Sequence, residues 1–173
     1  MGYAIDGTTT VLKCGYKVVG AMFGYDFTYW RGYMKFNITS PPFTLAEIDS
    51  VVLRLYCTAK SVNGTVRLRS AGAGTNWGAT LVANSTDYNS TSTELEDDVS
   101  ITSTGSKDFD VDKNNLNLSG YTYFRVSYLN DGGTQSLIQF ASQNNGTSAN
   151  RPLLIVNWTE AATGISHSQG YIF

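Results

Sequence analysis

Between Tyr29 and Tyr56 the chain reads YWRGYMKFNITSPPFTLAEIDSVVLRLY, and a period of two is written into it twice. Trp30, Gly32, Met34 and Phe36 alternate with Arg31, Tyr33, Lys35 and Asn37, the pattern of a half-buried strand with two unlike faces. Pro41-Pro42 stops it, because proline removes a ladder donor. Val51, Leu53, Leu55 and Cys57 then alternate with Val52, Arg54, Tyr56 and Thr58 in a second strand. Outward from this block, Val66 and Leu68 alternate with Arg67 and Arg69. Strands are predicted again over Tyr123 to Tyr128, Ser136 to Ala141 and Leu153 to Trp158, with weaker patterns at Val11 to Lys13, Val18 to Met22 and Asp108 to Val111. Tyr25 to Trp30 reads as an aromatic loop. Asn63-Gly64, Asn130-Asp131-Gly132-Gly133 and Asn144-Asn145-Gly146 are turn chemistry, since Gly and Asn tolerate positive φ. Helix is confined to single turns near Asp112 to Leu116 and Leu45 to Asp49. The pattern predicts an all-β chain folded as a two-sheet antiparallel jelly-roll β-sandwich with little helix. Residues 1–159 form one domain. Residues 160–173 are a C-terminal tail of small and polar residues with an aromatic end, a candidate assembly contact.

Composition narrows the function. The 173 residues hold 12 Lys and Arg against 14 Asp and Glu, a net charge of -2, and only 15% are charged. A nucleic-acid binder would carry a basic footprint that this chain lacks. No stretch approaches the ~20 apolar residues of a membrane-spanning helix. Met1 to Thr10 has neither the basic start nor the apolar run of a signal peptide, which leaves a cytosolic protein, a mature fragment or a virion part released by lysis.

Reactive groups are sparse. The single histidine, His167, lies in the C-terminal tail, so a nucleophilic triad would rest on a chain end. Cys14 and Cys57 fit no metal spacing, and they read either as two buried thiols or as a disulfide. AGAGTNWG, Ala71 to Gly78, lacks the Lys-Ser/Thr of a phosphate loop. Carboxylates cluster at Glu94, Glu96, Asp97 and Asp98, and Asp108, Asp110 and Asp112 alternate. On a strand the latter three share one face, where hard oxygen ligands would suit a structural calcium, the only cofactor the sequence suggests. The third candidate is an aromatic and basic surface made of Arg31, Tyr33, Lys35, Arg54, Tyr123 and Arg125. Planar rings stack on sugar faces and arginine forks match carboxylates of acidic sugars. Tyr and Arg also cover the outer faces of ordinary sheets.

The Tyr29–Tyr56 block resembles the opening of the DNRLRE domain family. There an aromatic and basic strand ends in a Phe-Asp-type pair and is followed by a second strand rich in leucine that closes on Leu-Tyr. Here Asn37 stands where that family usually has Asp. NSTDYNSTSTELEDDVSITSTGSKDFDVD (Asn84 to Asp112) is similar to the middle of phage and surface-protein versions. FDVD (Phe109 to Asp112) and IQFASQNNGTSANRPLLIVNW (Ile138 to Trp158) are similar to the family's closing segments. ASQNN (Ala141 to Asn145) departs from it where Arg-Glu is common. The resemblance spans roughly Gly7 to Thr159. It implies a jelly roll on secreted or surface-displayed proteins, found beside carbohydrate-active enzymes, in archaeal envelopes and in virions, some members binding polysaccharide.

Asn-x-Ser/Thr glycosylation acceptors begin at Asn37, Asn63, Asn84, Asn89, Asn117, Asn145 and Asn157. That is seven, where this composition would give about three by chance. The expectation from these features is a non-catalytic, surface-displayed structural protein on the outside of a virion or cell envelope. Its partners are further copies of itself or other virion or envelope subunits. The alternative is a carbohydrate-binding module recognising a polysaccharide.

Overall fold

The computed structural model describes residues 10–21, 24–70, 94–129, 136–161 and 163–172. Among them the chain forms eleven strands: β1 (Val11–Ala21), β2 (Gly24–Trp30), β3 (Gly32–Asn37), β4 (Ile48–Lys60), β5 (Gly64–Ser70), β6 (Glu94–Ile101), β7 (Gly105–Asp110), β8 (Tyr121–Tyr128), β9 (Ser136–Ala141), β10 (Leu153–Thr159) and β11 (Ser166–Ile172). Every pairing is antiparallel. The predicted turn after Asp112 is a single 3-10 turn, Lys113–Asn115, capped by the Asp112 carboxylate, which accepts the Asn114 N–H.

Two sheets result. The smaller runs β3-β8-β5-β6, and the larger follows the path β11-β10-β4-β9-β1-β2 with β7 added on β4. β4 organises the larger sheet because thirteen residues allow several partners. Cys57 pairs with Phe140 of β9 on one edge and with Gly105 of β7 on the other. Val52 to Arg54 likewise pair with both β7 and β10. So β9 and β10 lie end to end along one edge of β4, and β7 occupies the opposite edge.

The alternating side chains meet between the sheets. Met34, Phe36, Val66, Leu68, Phe124 and Val126 from the smaller sheet join Val51, Leu53, Leu55, Phe109, Ile138, Phe140, Leu154 and Val156 from the larger in one core. Phe36 sits edge-on to Phe124, and Phe109 to Phe140. Each fully buried side chain of this size contributes about 1.5–3 kcal/mol through removal from water. This is a β-sandwich, as the alternation predicts.

Five elements differ from the expectations. The run read as one strand from Trp30 to Asn37 divides at Arg31: β2 pairs with β1 in the larger sheet, and β3 with β8 in the smaller. Gly32 permits the crossing, since a Cβ there would lie 2.8 Å from Val126 Cγ2 and 3.3 Å from Leu12 Cβ. The stretch read as a loop, Tyr25 to Trp30, is therefore strand. The two weak segments at Val11 and Val18 are one long strand, and the acidic run is strand β6. The tail does not hang free. It turns at Gly164, whose φ is +67°, and returns as β11 on β10.

Candidate functional site

Five of the six predicted ligand-binding residues converge on the outer face of the smaller sheet. Registers place Tyr33 opposite Arg125 and Lys35 opposite Tyr123. Arg125 lies opposite Arg69, and Arg69 opposite Leu95, so a row Tyr33–Arg125–Arg69–Leu95 crosses all four strands. Arg31 joins the row from the crossover, and its guanidinium and that of Arg125 both donate to the Tyr33 phenol oxygen. Lys35 Nζ sits 4.8 Å above the Tyr121 ring, and Tyr121 neighbours Tyr123 at 6.3 Å.

The electrostatics are those of a covered face. Tyr33 is 8% exposed, Tyr123 5% and Arg125 7%. Burial pushes the Tyr33 phenol up, against the pull of Arg125 and Arg31. Burial also pushes Arg125 down, aided by the charges of Arg31 and Arg69 and resisted by Tyr33. Sugar stacking requires an open ring face. Tyr33 and Tyr123 do not offer one, whereas Tyr121, Lys35 and Arg31 reach solvent.

Arg54, the sixth candidate, is elsewhere. It lies on the outer face of the larger sheet and forms a two-pronged ion pair with Asp108, with Nε to Oδ1 and Nη2 to Oδ2 both 2.7 Å. Equal alternation placed it with the others in the sequence, but periodicity assigns a face and not a sheet. The pair holds Asp108 below the usual carboxylate range.

That engagement also disperses the proposed calcium ligands. Asp108 serves Arg54, and Asp112 caps the 3-10 turn through the Asn114 N–H and side-chain amide. Asp110 is exposed, and its backbone N–H donates to Asp97. Glu96 accepts the Asp112 N–H and the Asn115 amide, and so ties β6 to the segment after β7. Arg67 grips Asp98 with bonds of 2.8 and 2.7 Å. Among the described residues no three His, Cys, Asp or Glu side chains gather as a metal site.

Cys14 and Cys57 are both buried thiols, and neither is in a disulfide. The disulfide reading is corrected by topology. Cys14 faces Ile138 and Cys57 faces Phe140, so β9 runs between them. Two strand spacings separate their backbones by about 10 Å, and a disulfide needs Cα atoms within ~7 Å. Burial pushes the Cys57 thiol up, so it stays protonated and inert.

The sequons have a structural use. Asn37 Oδ1 accepts both the N–H and the hydroxyl of Thr39. Asn117 Oδ1 does the same for Ser119, and Asn145 Oδ1 accepts the Thr147 N–H. These are Asx turns, in which Asn-x-Ser/Thr closes a bend on itself. Asn63 instead accepts from Lys60 Nζ, and the Asn157 amide donates to Ser50. Asn84 and Asn89 lie outside the described residues. Turn formation thus accounts for part of the surplus, and exposed Asn37 and Asn63 leave room for a glycan.

Sequence reasoning missed the edge at β11. Trp158 of β10 packs on Phe43, ring centroids 4.7 Å apart, and the His167 ring stacks on Trp158 at 5.1 Å. Tyr171 packs against the core, while Ile165 and Ile172 stand 54% and 67% exposed at the two ends of the strand. Among the described residues no strand pairs with the far edge of β11. Its signal in the sequence was weak, because SHSQGYI has no apolar alternation.

No helix among the described residues is long and apolar enough to cross a membrane. Comparison with protein-family models, curated proteins and solved structures finds no match for the chain.

Proposed function

We propose that this chain is a non-catalytic structural subunit, displayed on the outside of a virion or a cell envelope, which assembles by lending the β11 edge to a neighbouring subunit. The observation that carries the reading is that edge. An unpaired strand presents a row of backbone donors and acceptors ready to receive another chain. Proteins that remain alone blunt such edges with charge, and among the described residues three other strands paired on one side only carry it: Lys35 in β3, Glu96, Asp97 and Asp98 in β6, and Lys107, Asp108 and Asp110 in β7. β11, SHSQGYI, has no Asp, Glu, Lys or Arg.

Other features support the same reading. The carboxylates nearest to a catalytic arrangement are committed to ion pairs and backbone caps. Strand order supports the jelly roll: without β2, β10 and β11, the remaining eight run first-eighth-third-sixth in one sheet and second-seventh-fourth-fifth in the other. That is the order produced by two Greek keys wound across a sandwich. It agrees with the DNRLRE resemblance, whose members occupy surfaces. The polysaccharide alternative is less supported, because Tyr33 and Tyr123 are covered. It rests on Tyr121, Lys35 and Arg31, and a glycan array without a hit above background removes it.

Deleting Glu160 to Phe173 tests the main reading. The expected outcome is a folded sandwich that no longer enters its assembly, as seen by electron microscopy of the native particle or filament. Unchanged assembly overturns the reading.

A further inference from the structure

Hydrogen-bond parity tells which groups of β11 are available. The Glu160 N–H donates to the Ile165 carbonyl, whereas the Thr159 N–H turns away from β11 to Glu47. With Thr159 opposite Ser166, the alternation then runs unbroken along the hairpin. His167, Gln169 and Tyr171 direct their N–H and C=O groups to β10. Ser166, Ser168, Gly170 and Ile172 direct theirs outward, to the edge with which no described strand pairs.

Resting on the assembly reading above, we propose that the occupant of this edge is the β11 strand of a second copy, paired antiparallel about a two-fold axis at Gln169. Only one self-register uses all four outward residues. It sets Ser166 opposite the partner's Ile172 and Ser168 opposite the partner's Gly170, each as a hydrogen-bonded pair. Gln169 then faces the partner's Gln169 in a non-hydrogen-bonded pair, where side chains approach most closely. Shifting the axis by one residue leaves at least one outward residue beyond the end of the ladder.

Charge selects the same partner. Pairing β11 with β3, β6 or β7 of another copy would set a charged side chain into the junction. Pairing with itself brings none. On the inner face the two-fold places His167 beside the partner's Tyr171, twice over. On the outer face the partner's Ser168 stands opposite Gly170, which brings no side chain of its own to the pair and is overlaid by Leu153. An interface of this kind is isologous and closed, the commonest symmetry of soluble oligomers.

Cysteine cross-linking reads the register directly. Across a non-hydrogen-bonded antiparallel pair the Cα atoms are about 4.5 Å apart, inside the range that a disulfide spans. Gln169→Cys should therefore double in mass on a non-reducing gel after mild oxidation of the full chain, and revert with reductant. His167→Cys should stay single, since its copies would be offset by four residues, about 13 Å. The buried native thiols do not compete. Ser168→Pro removes one outward donor and none of those directed to β10, so sedimentation should fall to the monomer while the far-ultraviolet spectrum is retained.

Self-association in which Gln169→Cys links no better than His167→Cys overturns the two-fold and leaves the assembly reading intact. A wild-type chain that sediments as a monomer at every concentration also overturns the two-fold. The assembly reading is then decided by the truncation alone.

Discussion

Replacing glycines one at a time separates two costs that the backbone hides. Gly146 has no left-handed φ, and a Cβ there meets nothing within 4 Å. Gly105 has φ +100° but equally open space. Gly15 has φ +140°, and its Cβ would lie 2.2 Å from the Ser136 carbonyl oxygen and 3.0 Å from Leu137 Cα. It is the residue where β1 changes partners, facing Leu137 on one side and Trp30 on the other. Gly146→Ala should be neutral or stabilise by up to ~1 kcal/mol, because the unfolded chain loses freedom. Gly105→Ala should cost about 1–2 kcal/mol, the conformational penalty alone. Gly15→Ala adds overpacking against backbone that has no rotamer to yield, so the total is roughly 3–5 kcal/mol. In a chain of this length that lowers Tm by on the order of 10 °C. Urea unfolding of the monomer, for instance in the Ser168→Pro background, gives the three free energies on one scale. A Gly15→Ala chain no less stable than Gly105→Ala would refute the close approach of β1 to β9.

The remaining predictions concern the core, the ion pairs and the thiols. Leu53→Ala, at a fully buried position in the core between the sheets, should cost about 2–5 kcal/mol in the same assay. Asp98→Asn should cost no more than ~1 kcal/mol, because the pair with Arg67 is partly exposed and salt screens it. Arg67 and Arg54 hold Asp98 and Asp108 below the ordinary carboxylate value of 3.8. Their contribution is therefore complete above that pH and is lost as pH falls through the lower folded values. A stability titration should show wild type and Asp98→Asn converging in acid, and parallel curves would contradict it. Cys14 and Cys57 should resist a thiol reagent in the folded chain and both react on unfolding, and intact mass should show no loss of two hydrogens.

The sequence yielded the sandwich because its central strands alternate strongly, as Val51 to Cys57 do. Strands without that alternation escaped it. β6 is a charged edge strand, ELEDDVSI, whose side chains serve as caps and pair partners rather than as core. β11 is held by backbone pairing, by the stack of His167 on Trp158 and by Tyr171 against the core. The aromatic-basic cluster was legible as a face, since Tyr33, Lys35, Tyr123 and Arg125 share parity on two strands. That Arg54 belonged to the other sheet was not, because sheet membership depends on connections of long range. The same holds for the cysteines: the sequence left two buried thiols and a bridge both open, and the intervening β9 forbids the bridge. Sequons looked like modification signals, and at Asn37, Asn117 and Asn145 the same tripeptide closes local turns.

Residue-resolved hydrogen exchange along β11 tests the assembly edge most directly. In the isolated monomer the account predicts alternation: amides of His167, Gln169 and Tyr171 protected, those of Ser166, Ser168, Gly170 and Ile172 exchanging freely. In assembled material the second set should become protected as well. Outward amides that still exchange at the monomer's rate in the assembled state would contradict the account.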